Sequence, residues 1–392
     1  MAQDFTVTRN SPKRVLHSDG YLKTYGVNEP AIEFNTDGSY RGLLVEPAAT
    51  NICKQSEDIT TTWVPTNATI TANATTAPDG NTTADKLNDD NGGGTGAVLV
   101  YQGITVSTNT KYTASVFLKA DQLAFARLAA TNYDGATDGE QFFGLSGDGS
   151  LGTAVGLDDS SITKYPNGWY RCSITWTQGA ADTSFNFAIN VADSLSNANV
   201  DRDGTSSIFV WGAQVEAGPI ATSYIPTTTA SVTRNADDIT MTGASSLIGQ
   251  TEGTLYVEVD WRLRSGVAQT GLDISDNSNN NRIVIFLSIS SELRMYLQAN
   301  NVTQTYQGVS NSSFSGIQKI AFAYAENDFE LYRNGSSISS DTSGSLAALG
   351  TLTDVDLGQT FAVTVQANMW IRSVSLITRR LPDAEAEALT TL

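Results

Sequence analysis

The chain has 392 residues, of which 40% are hydrophobic and 16% are charged, and it contains 33 glycines. Its 41 acidic and 23 basic side chains give a net charge of −18, and such a surface repels phosphate backbones and anionic lipid. Nucleic-acid binding and membrane insertion are therefore not expected, and no window approaches the roughly 18 apolar residues of a membrane span.

The first 50 residues form a lead-in of short strands and turns. Asp19-Gly20 and Asp37-Gly38 each lie between apolar positions, which is a hairpin signal. We expect residues 1–50 either to add strands to the first sandwich or to dock the chain on a partner, and docking is favoured. The start of the chain lacks the apolar stretch of a secretory signal, so we expect synthesis in a cytoplasm.

Alternating apolar residues predict half-buried strands in the next part of the chain. In 112–120, Tyr112, Ala114, Val116 and Leu118 face one way, and Phe117 faces the other. Residues 185–191 alternate in the same manner. Residues 208–215 are apolar on both faces, which predicts a strand that is covered on both sides.

A boundary is predicted near residues 240–250, where a polar, glycine-containing stretch precedes new strands. Alternation predicts a strand at 255–261 and another at 283–289, each with one apolar face. The strand near 329–332 ends at Asn334-Gly335, a hairpin signal. Pro382, followed by acidic residues, predicts the first turn of a short helix at the end of the chain.

Several phrases in residues 40–240 occur in a recognisable order. They are RGLLVEPAATN from Arg41, QSEDI from Gln55, APDGNTTADKL from Ala77, YTASVFLKA from Tyr112, NGWYRCSITW from Asn167 and SIFVWGAQVEAGPIATSYIPT from Ser207. Together they resemble a sandwich module common in bacteriophage virion proteins and related in shape to carbohydrate-binding modules. The resemblance implies a virion protein.

The second half resembles a concanavalin A-like or laminin G-like jelly roll. The matching phrases are GTLYVEVDWRL from Gly253, DNSNNNRIVIFLS from Asp276, FAYAENDFELYRNG from Phe322 and WIRSVSLITRRLPDAEAEALTTL from Trp370. We therefore predict an all-β chain of two antiparallel sandwiches in tandem, with a short C-terminal helix. The predicted divisions are a 1–50 lead-in, a 51–240 sandwich and a 241–392 jelly roll.

Residues capable of catalysis are sparse. His17 is the sole histidine, so a nucleophilic triad or a zinc site would have to be built on it. Cys53 and Cys172 are interpreted as small buried residues, with a single bridge between them as the alternative. Glu258 and Asp260 share a strand face, but the strand does not match the acid-rich catalytic strand of concanavalin-like glucanases. We therefore predict no enzymatic activity.

Glycan binding needs exposed aromatic rings beside polar groups, because a sugar ring presents apolar C–H faces and hydroxyl edges. The candidate glycan-binding residues are Trp63, Phe117, Tyr133 and Trp169 in the first module, and Tyr296 and Tyr306 in the second. The alternative for each is a place in the core. The predicted core anchors are Trp176, Trp211, Trp261 and Trp370.

Calcium is the one cofactor candidate, since jelly rolls often hold it with Asp, Asn and carbonyl oxygens from loops. The candidate ligands are Asp273, Asp276 and Asn281, and further Asp/Asn loops lie at 89–91 and 201–203. None has the spacing of an EF-hand loop. The alternative is a set of solvated turns.

These observations favour a bacteriophage appendage protein, such as a tail fibre, tail tip or head fibre, that attaches to host surface glycans through lectin-like modules. The expected partners are other virion proteins, a host glycan or receptor, and further copies of the chain in a homo-oligomer such as a trimer. The expected location is the exposed surface of the virion. The alternatives are a structural decoration protein that binds only virion proteins and, less favoured, a polysaccharide-degrading enzyme.

Overall fold

A computed structural model describes residues 5–132, 139–262, 266–309, 314 and 316–392. The first half of the described chain forms β1 Thr6–Thr8, β2 Lys13–Leu16, β3 Leu22–Tyr25, β4 Ile32–Phe34, β5 Tyr40–Val45, β6 Ala49–Asn51, β7 Val64–Thr66, β8 Ala68–Thr75, β9 Ala84–Asp89, β10 Thr95–Ala97, β11 Leu99–Thr105, β12 Lys111–Ala120, β13 Phe125–Thr131, β14 Gly139–Gly144, β15 Ser150–Val155, β16 Asp159–Lys164 and, after a 3-10 turn at Pro166–Gly168, β17 Trp169–Thr177. The second half forms β18 Ser184–Ala192, β19 Asn199–Asp201, β20 Ser207–Ala217, β21 Val232–Arg234, β22 Asp238–Met241, β23 Gly253–Trp261, β24 Gln269–Ser275, β25 Arg282–Leu287, β26 Leu293–Ala299, β27 Val302–Val309, β28 Ile317–Ala325, β29 Asp328–Arg333, β30 Ser336–Asp341, β31 Asp354–Leu357, β32 Met369–Ile377 and the helix α1 Asp383–Thr390.

The first sandwich consists of two antiparallel sheets. Its outer sheet has the order β15-β14-β13-β18-β11-β7, and its inner sheet has the order β16-β17-β12-β20-β9-β8. The residues of β12 that were predicted to share a face, from Tyr112 to Leu118, enter the core between these sheets, as do Phe185, Phe187, Ile189 and Val191 of β18. The predicted alternation is confirmed for both strands, because apolar side chains on one strand face leave water together.

The second sandwich is a jelly-roll-like pair of larger sheets. Its front sheet has the order β1-β22-β31-β24-β25-β26-β27, and its back sheet has the order β30-β29-β28-β23-β32-β5-β4. Leu255, Val257, Val259 and Trp261 of β23 face the core between them, as the alternation predicts. The strand predicted over 283–289 ends at Leu287, and Ile289 is 66% exposed, which corrects its expected place on the core face.

The lead-in segment contributes strands to the second sandwich. Strand β1 pairs with β22 in the front sheet, and the hairpin β4-β5 extends the back sheet through pairing of β5 with β32. For residues 1–50 we expected either docking on a partner or strands added to the first sandwich. The strands are instead added to the second sandwich. The hairpin β2-β3 instead covers the outer face of the inner sheet, where Leu16 and Leu22 contact Phe117, Trp169 and Trp211.

The first sandwich is inserted between two strands that follow each other along the chain in the second sandwich, β5 of the back sheet and β22 of the front sheet. The chain leaves the second sandwich after β5 and returns at β22, and the crossing points are tied together by pairing of β6 with β21. The backbone N–H of Asp237 also donates to the carbonyl oxygen of Glu46 at 3.0 Å. The chain segments that enter and leave the first sandwich therefore lie side by side.

A buried ionic cluster holds this crossing point. Asp237 accepts from Arg9 Nη1 at 2.9 Å and from Lys13 Nζ at 2.6 Å, and Glu46 lies 3.1 Å from Lys13 Nζ and 3.6 Å from Arg234 Nη2. Burial opposes ionisation of Glu46, but the attraction of Lys13 and Arg234 outweighs it and holds the pKa of Glu46 well below its usual range. The cluster joins charges from both ends of the inserted sandwich.

Several further predictions of the fold agree with the structure. The chain is all-β with a short C-terminal helix, α1, which packs on the outer face of the back sheet through Ala386, next to Leu381 in the turn before it. The four tryptophans predicted as core anchors are buried. Cys53 and Cys172 are buried free thiols rather than a bridge. Within the described ranges, no helix has the length and apolar character needed to cross a membrane.

Candidate functional site

An open groove lies on the outer face of the front sheet. Strand alternation creates it, because Ile283, Ile285 and Leu287 of β25 enter the core and Arg282, Val284 and Phe286 must then point outward. The loop 360–365 forms the opposite wall. The groove has a volume of about 360 Å³. It is lined by Ala268, Thr270, Asn279, Arg282, Val284, Phe286, Tyr296, Thr360, Phe361, Ala362, Thr364 and Val365, and we call it the aromatic groove.

One of the predicted glycan-binding residues, Tyr296, lines this groove, and a second, Tyr306, lies beside it. Tyr296 on β26 is directly opposite Tyr306 on β27, and such cross-strand neighbours have Cβ atoms about 4.5–5.5 Å apart. Tyr296 is half-buried and its ring lies 6.0 Å from that of Phe286 in an edge-to-face arrangement. Tyr306 is 56% exposed. The pair therefore extends the aromatic surface from the groove to the edge of the sheet.

Arginines lie over these rings. The guanidinium carbon of Arg282 lies 5.5 Å from the centre of the Tyr296 ring and 5.3 Å from that of Phe361, and Arg294 lies 5.7 Å from that of Tyr306. Arg282 is held by Asp273 beneath it and donates from Nη1 to Asn279 Oδ1 at 2.7 Å. Burial and the ion pair with Asp273 fix Arg282 in place over the rings of Tyr296 and Phe361.

The polar groups of the groove come from Thr270, Asn279, Thr360 and Thr364, together with Arg282. Hydroxyl and amide groups can both donate and accept hydrogen bonds, whereas the guanidinium only donates. Rings beside such groups match a ligand that has apolar faces and hydroxyl edges. The groove is thus suited to a sugar.

An acidic row continues from the groove across the same face of the sheet. Asp273 is directly opposite Asp356 on β31, and Asp238 and Asp354 lie close by. Burial, followed by repulsion from Asp273, Asp238 and Asp354, raises the pKa of Asp356 to about 7. Its Oδ2 atom is buried and has no hydrogen-bond partner among the described residues. Arg282 lies on the neighbouring strand β25, opposite Ser275, and forms an ion pair with Asp273 at the end of this row.

We expect Asp356→Asn to stabilise the protein more at about pH 8 than at about pH 4. A carboxyl whose folded pKa lies above its unfolded value of 3.8 supports folding fully below that value, and this support is lost as pH rises through about 7. The amide resembles the protonated acid and does not titrate. Urea unfolding of both proteins across this pH range is the measurement, and a pH-independent difference between them would contradict the expectation.

The other candidate aromatic residues are not exposed platforms. Trp63 is 4% exposed and packs in the core of the first sandwich against Phe187. Phe117 and Trp169, at 0% and 1%, are covered by the hairpin β2-β3. The expectation of an open ring face is wrong for these three, because neighbouring elements occupy that face. Tyr133 lies outside the described residues.

The oxygens of the candidate calcium ligands are engaged by protein donors. Asp273 pairs with Arg282, and Asp276 accepts from Asn281 Nδ2 at 2.7 Å. The Oδ1 atom of Asn281 accepts from the backbone N–H groups of Asn300 and Gly350, each at 2.9 Å. In the described part of the chain, no three acidic, histidine or cysteine side chains form a cluster suited to a metal. This donor set does not fit calcium as arranged, and calcium binding stays a prediction.

Glu258 and Asp260 do share the outer face of the back sheet, but arginines accompany them. Glu258 lies 2.9 Å from Arg372 Nε, and Asp260 lies 3.6 Å from Arg41 Nη2. Burial raises the pKa of Asp260, and Arg41 opposes that shift. His17 contacts Phe34 edge to face and lies 3.6 Å from Asp19, in a turn. Ion pairs with arginines therefore explain the positions of Glu258 and Asp260, and the contacts with Phe34 and Asp19 explain that of His17.

Sequence reasoning missed Phe286, Arg282 and Phe361 as parts of the groove. The alternation of 282–287 contained the signal for the first two, since it put Phe286 and Arg282 on the face opposite the core. No local pattern marked Phe361, which reaches the groove from a loop distant in sequence. Its backbone N–H donates to Asp273 Oδ2 at 3.1 Å and so fixes the loop to the sheet.

No protein-family model and no curated protein matches the sequence. Among solved structures, the chain is similar to the CBM40 of the Ruminococcus gnavus IT-sialidase, with 14% identity and a TM-score of 0.33 over 38% of this chain and 88% of that chain. It is also similar to a SAP-like pentraxin from Limulus polyphemus, with 11% identity and a TM-score of 0.30 over 36% of this chain and 70% of that chain.

A third similar structure is described as showing that cell entry of botulinum neurotoxin type C depends on interaction with two ganglioside molecules. Its identity is 12% and its TM-score is 0.34, over 40% of each chain. The similar structures thus include a carbohydrate-binding module and a structure of botulinum neurotoxin type C. Because every one of these TM-scores is below 0.5, the likeness supports no inference about ligand or activity.

Proposed function

We propose that this protein is a bacteriophage appendage protein that attaches to host surface glycans through the aromatic groove. The observation that carries the proposal is the row of Phe286, Tyr296 and Tyr306 on one exposed sheet face, beside hydroxyl and amide groups. A neutral sugar can stack its C–H face on a ring and hydrogen-bond at its edge. An apolar wall with a few placed polar groups is also the usual composition of a ligand site.

The virion context of the proposal rests on the ordered phrases in residues 40–240, which resemble a module of phage virion proteins. An appendage must present its binding surface away from its attachment point. The aromatic groove lies on the front sheet, whereas the first sandwich lies against the outer face of the back sheet. The groove is therefore on the side of the second sandwich that the first sandwich leaves open.

The test is binding of the purified protein to host-type cells and to a bacterial glycan array. We expect Tyr306→Ala to weaken saturable binding by about fivefold or more, because an exposed ring that stacks on a ligand contributes roughly 1 kcal/mol or more. Tyr40→Ala is the matched control, since Tyr40 is also exposed and has Arg372 5.6 Å from its ring centre, but it lies on the back sheet. The control should bind within about twofold of the unaltered protein.

Equal loss of binding in both variants would contradict the assignment of the groove. Absence of binding to cells and to every glycan, by a protein with an unchanged unfolding transition, would favour the decoration role instead. One observation supports that alternative: β27 is the edge strand of the front sheet and carries Val302 at 59% exposure. An exposed edge strand can pair with another protein chain.

A further inference from the structure

A second cavity lies between the two sandwiches. It has a volume of about 290 Å³ and is bounded by the outer faces of the inner sheet and the back sheet. Ser161, Thr163, Arg171, Ser173 and Thr175 come from β16 and β17 of the first sandwich. The rest of the lining is Arg14, Leu22, Glu33, Arg41, Leu44, Phe117, Asp159, Tyr165, Pro219, Ile220, Ala221, Ser223, Tyr224, Arg262 and Trp370, and we call this cavity the inter-sandwich cleft.

The lining of the cleft is cationic although the chain as a whole carries a net charge of −18. Arginines at 14, 41, 171 and 262 outnumber the lining carboxylates of Glu33 and Asp159 in the described residues. Arg14, Arg41 and Arg262 have carboxylate partners outside the lining, at 2.9, 3.6 and 3.5 Å. These partners offset the charge of three arginines, so the attraction of the cleft for an anionic ligand depends on Arg171.

Arg171 is the least compensated of these arginines. Its Nη2 donates to Ser115 Oγ at 3.0 Å and its guanidinium lies 5.4 Å from the ring centre of Phe117. Its Nε is buried and has no hydrogen-bond partner among the described residues. Glu216 interacts with it electrostatically, but burial raises the pKa of Glu216, and Thr222 already donates to that carboxyl. Arg171 therefore retains donor capacity for a ligand.

Two neutral donors accompany Arg171. Ser223 is 6% exposed, and its hydroxyl interacts with the Glu46 carboxylate at the border of the cleft. Burial raises the pKa of Tyr165, and the charges of Arg171, Arg262 and Arg41 act on that phenol in the opposite direction. The Glu33 carboxylate also raises this pKa, so the Tyr165 hydroxyl stays protonated among three guanidiniums and one carboxylate. A ligand rich in acceptors would accept a hydrogen bond from the Tyr165 hydroxyl beside Arg171.

The shape and hydroxyl content of the cleft narrow the ligand class. A guanidinium pairs with a carboxylate through two parallel hydrogen bonds, and the serines and threonines on β16 and β17 can bind hydroxyl groups. The volume lies at the lower end of the range of about 300–1,000 Å³ for small-molecule sites. We propose that the inter-sandwich cleft binds one carboxylate-bearing sugar residue, with Arg171 as its carboxylate partner. The site is separate from the aromatic groove and does not depend on the function proposed for it.

Isothermal titration calorimetry of the full chain with D-glucuronate, D-glucose and inorganic phosphate tests the proposal. We expect saturable binding of glucuronate, with glucose and phosphate each at least about tenfold weaker, because only glucuronate offers both the carboxylate and the hydroxyls. Arg171→Gln should weaken glucuronate binding by about tenfold or more, and Arg171→Lys should have a smaller effect because the charge remains. Tyr306→Ala should leave glucuronate binding unchanged, which separates this site from the groove.

Arg127→Gln is the matched control. Arg127 also has a half-buried guanidinium over a ring, 6.0 Å from the centre of Phe142, but it lies on the outer sheet of the first sandwich. The Arg127→Gln variant should bind glucuronate with a dissociation constant within about twofold of that of the unaltered protein. Absence of saturable glucuronate binding, preference for phosphate, or equal losses in the Arg171 and Arg127 variants would overturn the proposal. If Arg171→Gln alters the unfolding transition, Arg171→Lys replaces it, with an expected loss of about threefold or more because the two parallel hydrogen bonds to the carboxylate are lost.

Discussion

Residues 241–392, produced without the rest of the chain, are expected to show no cooperative unfolding transition. This fragment lacks β1, β4 and β5, together with nearly all of β22, so β32 and β31 lose neighbours in the back and front sheets. It also lacks Val7, Val45 and Ile239 from the core of the second sandwich. The total stability of a domain is only about 5–15 kcal/mol, and loss of two sheet edges with their core residues exceeds that margin.

A chain in which the first sandwich is deleted is the matched control. Residues 1–51 joined to residues 232–392 through a short glycine linker retain the strands of the second sandwich, because β6 and β21 bring these ends together. We expect this shorter chain to unfold cooperatively in circular dichroism and calorimetry. Cooperative unfolding of 241–392 at the same temperature would contradict the expectation and support a folding unit that begins near residue 241.

Asp237→Asn is expected to destabilise the protein by about 3–5 kcal/mol, since it removes one charge from a buried network. Asp237 accepts from Arg9, from Lys13 and from the backbone N–H of Glu46 at 2.8 Å. The amide would leave the cations buried with Glu46 as the remaining anion. Urea denaturation of both proteins measures the difference.

The control for this substitution is Glu140→Gln, which removes a half-exposed ion pair with Arg127 at 2.8 Å. Solvent screens such a pair, so we expect a loss of about 1 kcal/mol or less. Similar losses for the two substitutions would show that the buried cluster contributes no more than a surface pair. The location of Asp237 between the two sandwiches would then add nothing to the free energy of unfolding beyond that of a surface ion pair.

The predictions that held depend on local periodicity. Strand β20 was predicted to be covered on both faces, and its residues do divide between two clusters, with Ile208 and Val210 in the sandwich core and Trp211 under the hairpin β2-β3. The terminal helix followed from Pro382 and the acids after it. Such features need only the neighbouring residues, because side-chain direction in a strand or helix repeats with a fixed period.

The candidate site shows where this reasoning stops. Alternation correctly predicted that Phe117 points away from the core of its sandwich, but it could not show that a hairpin from residues 13–25 covers that face. Tyr306, in contrast, lies on a face that stays open at the sheet edge. Periodicity determines the side on which a residue lies and contains no information about which distant element packs there.

The sequence by itself determined that this protein is all-β, that it forms two sandwiches and that its surface is acidic. Tertiary structure alone decided that the first sandwich is inserted into the second and that strands before Pro47 complete its sheets. It also brought Phe361 to Tyr296 and Arg171 towards Arg262. The physical reason is that strand pairing between distant segments depends on the edges and apolar faces that the rest of the fold leaves available, and these exist only after the chain has folded.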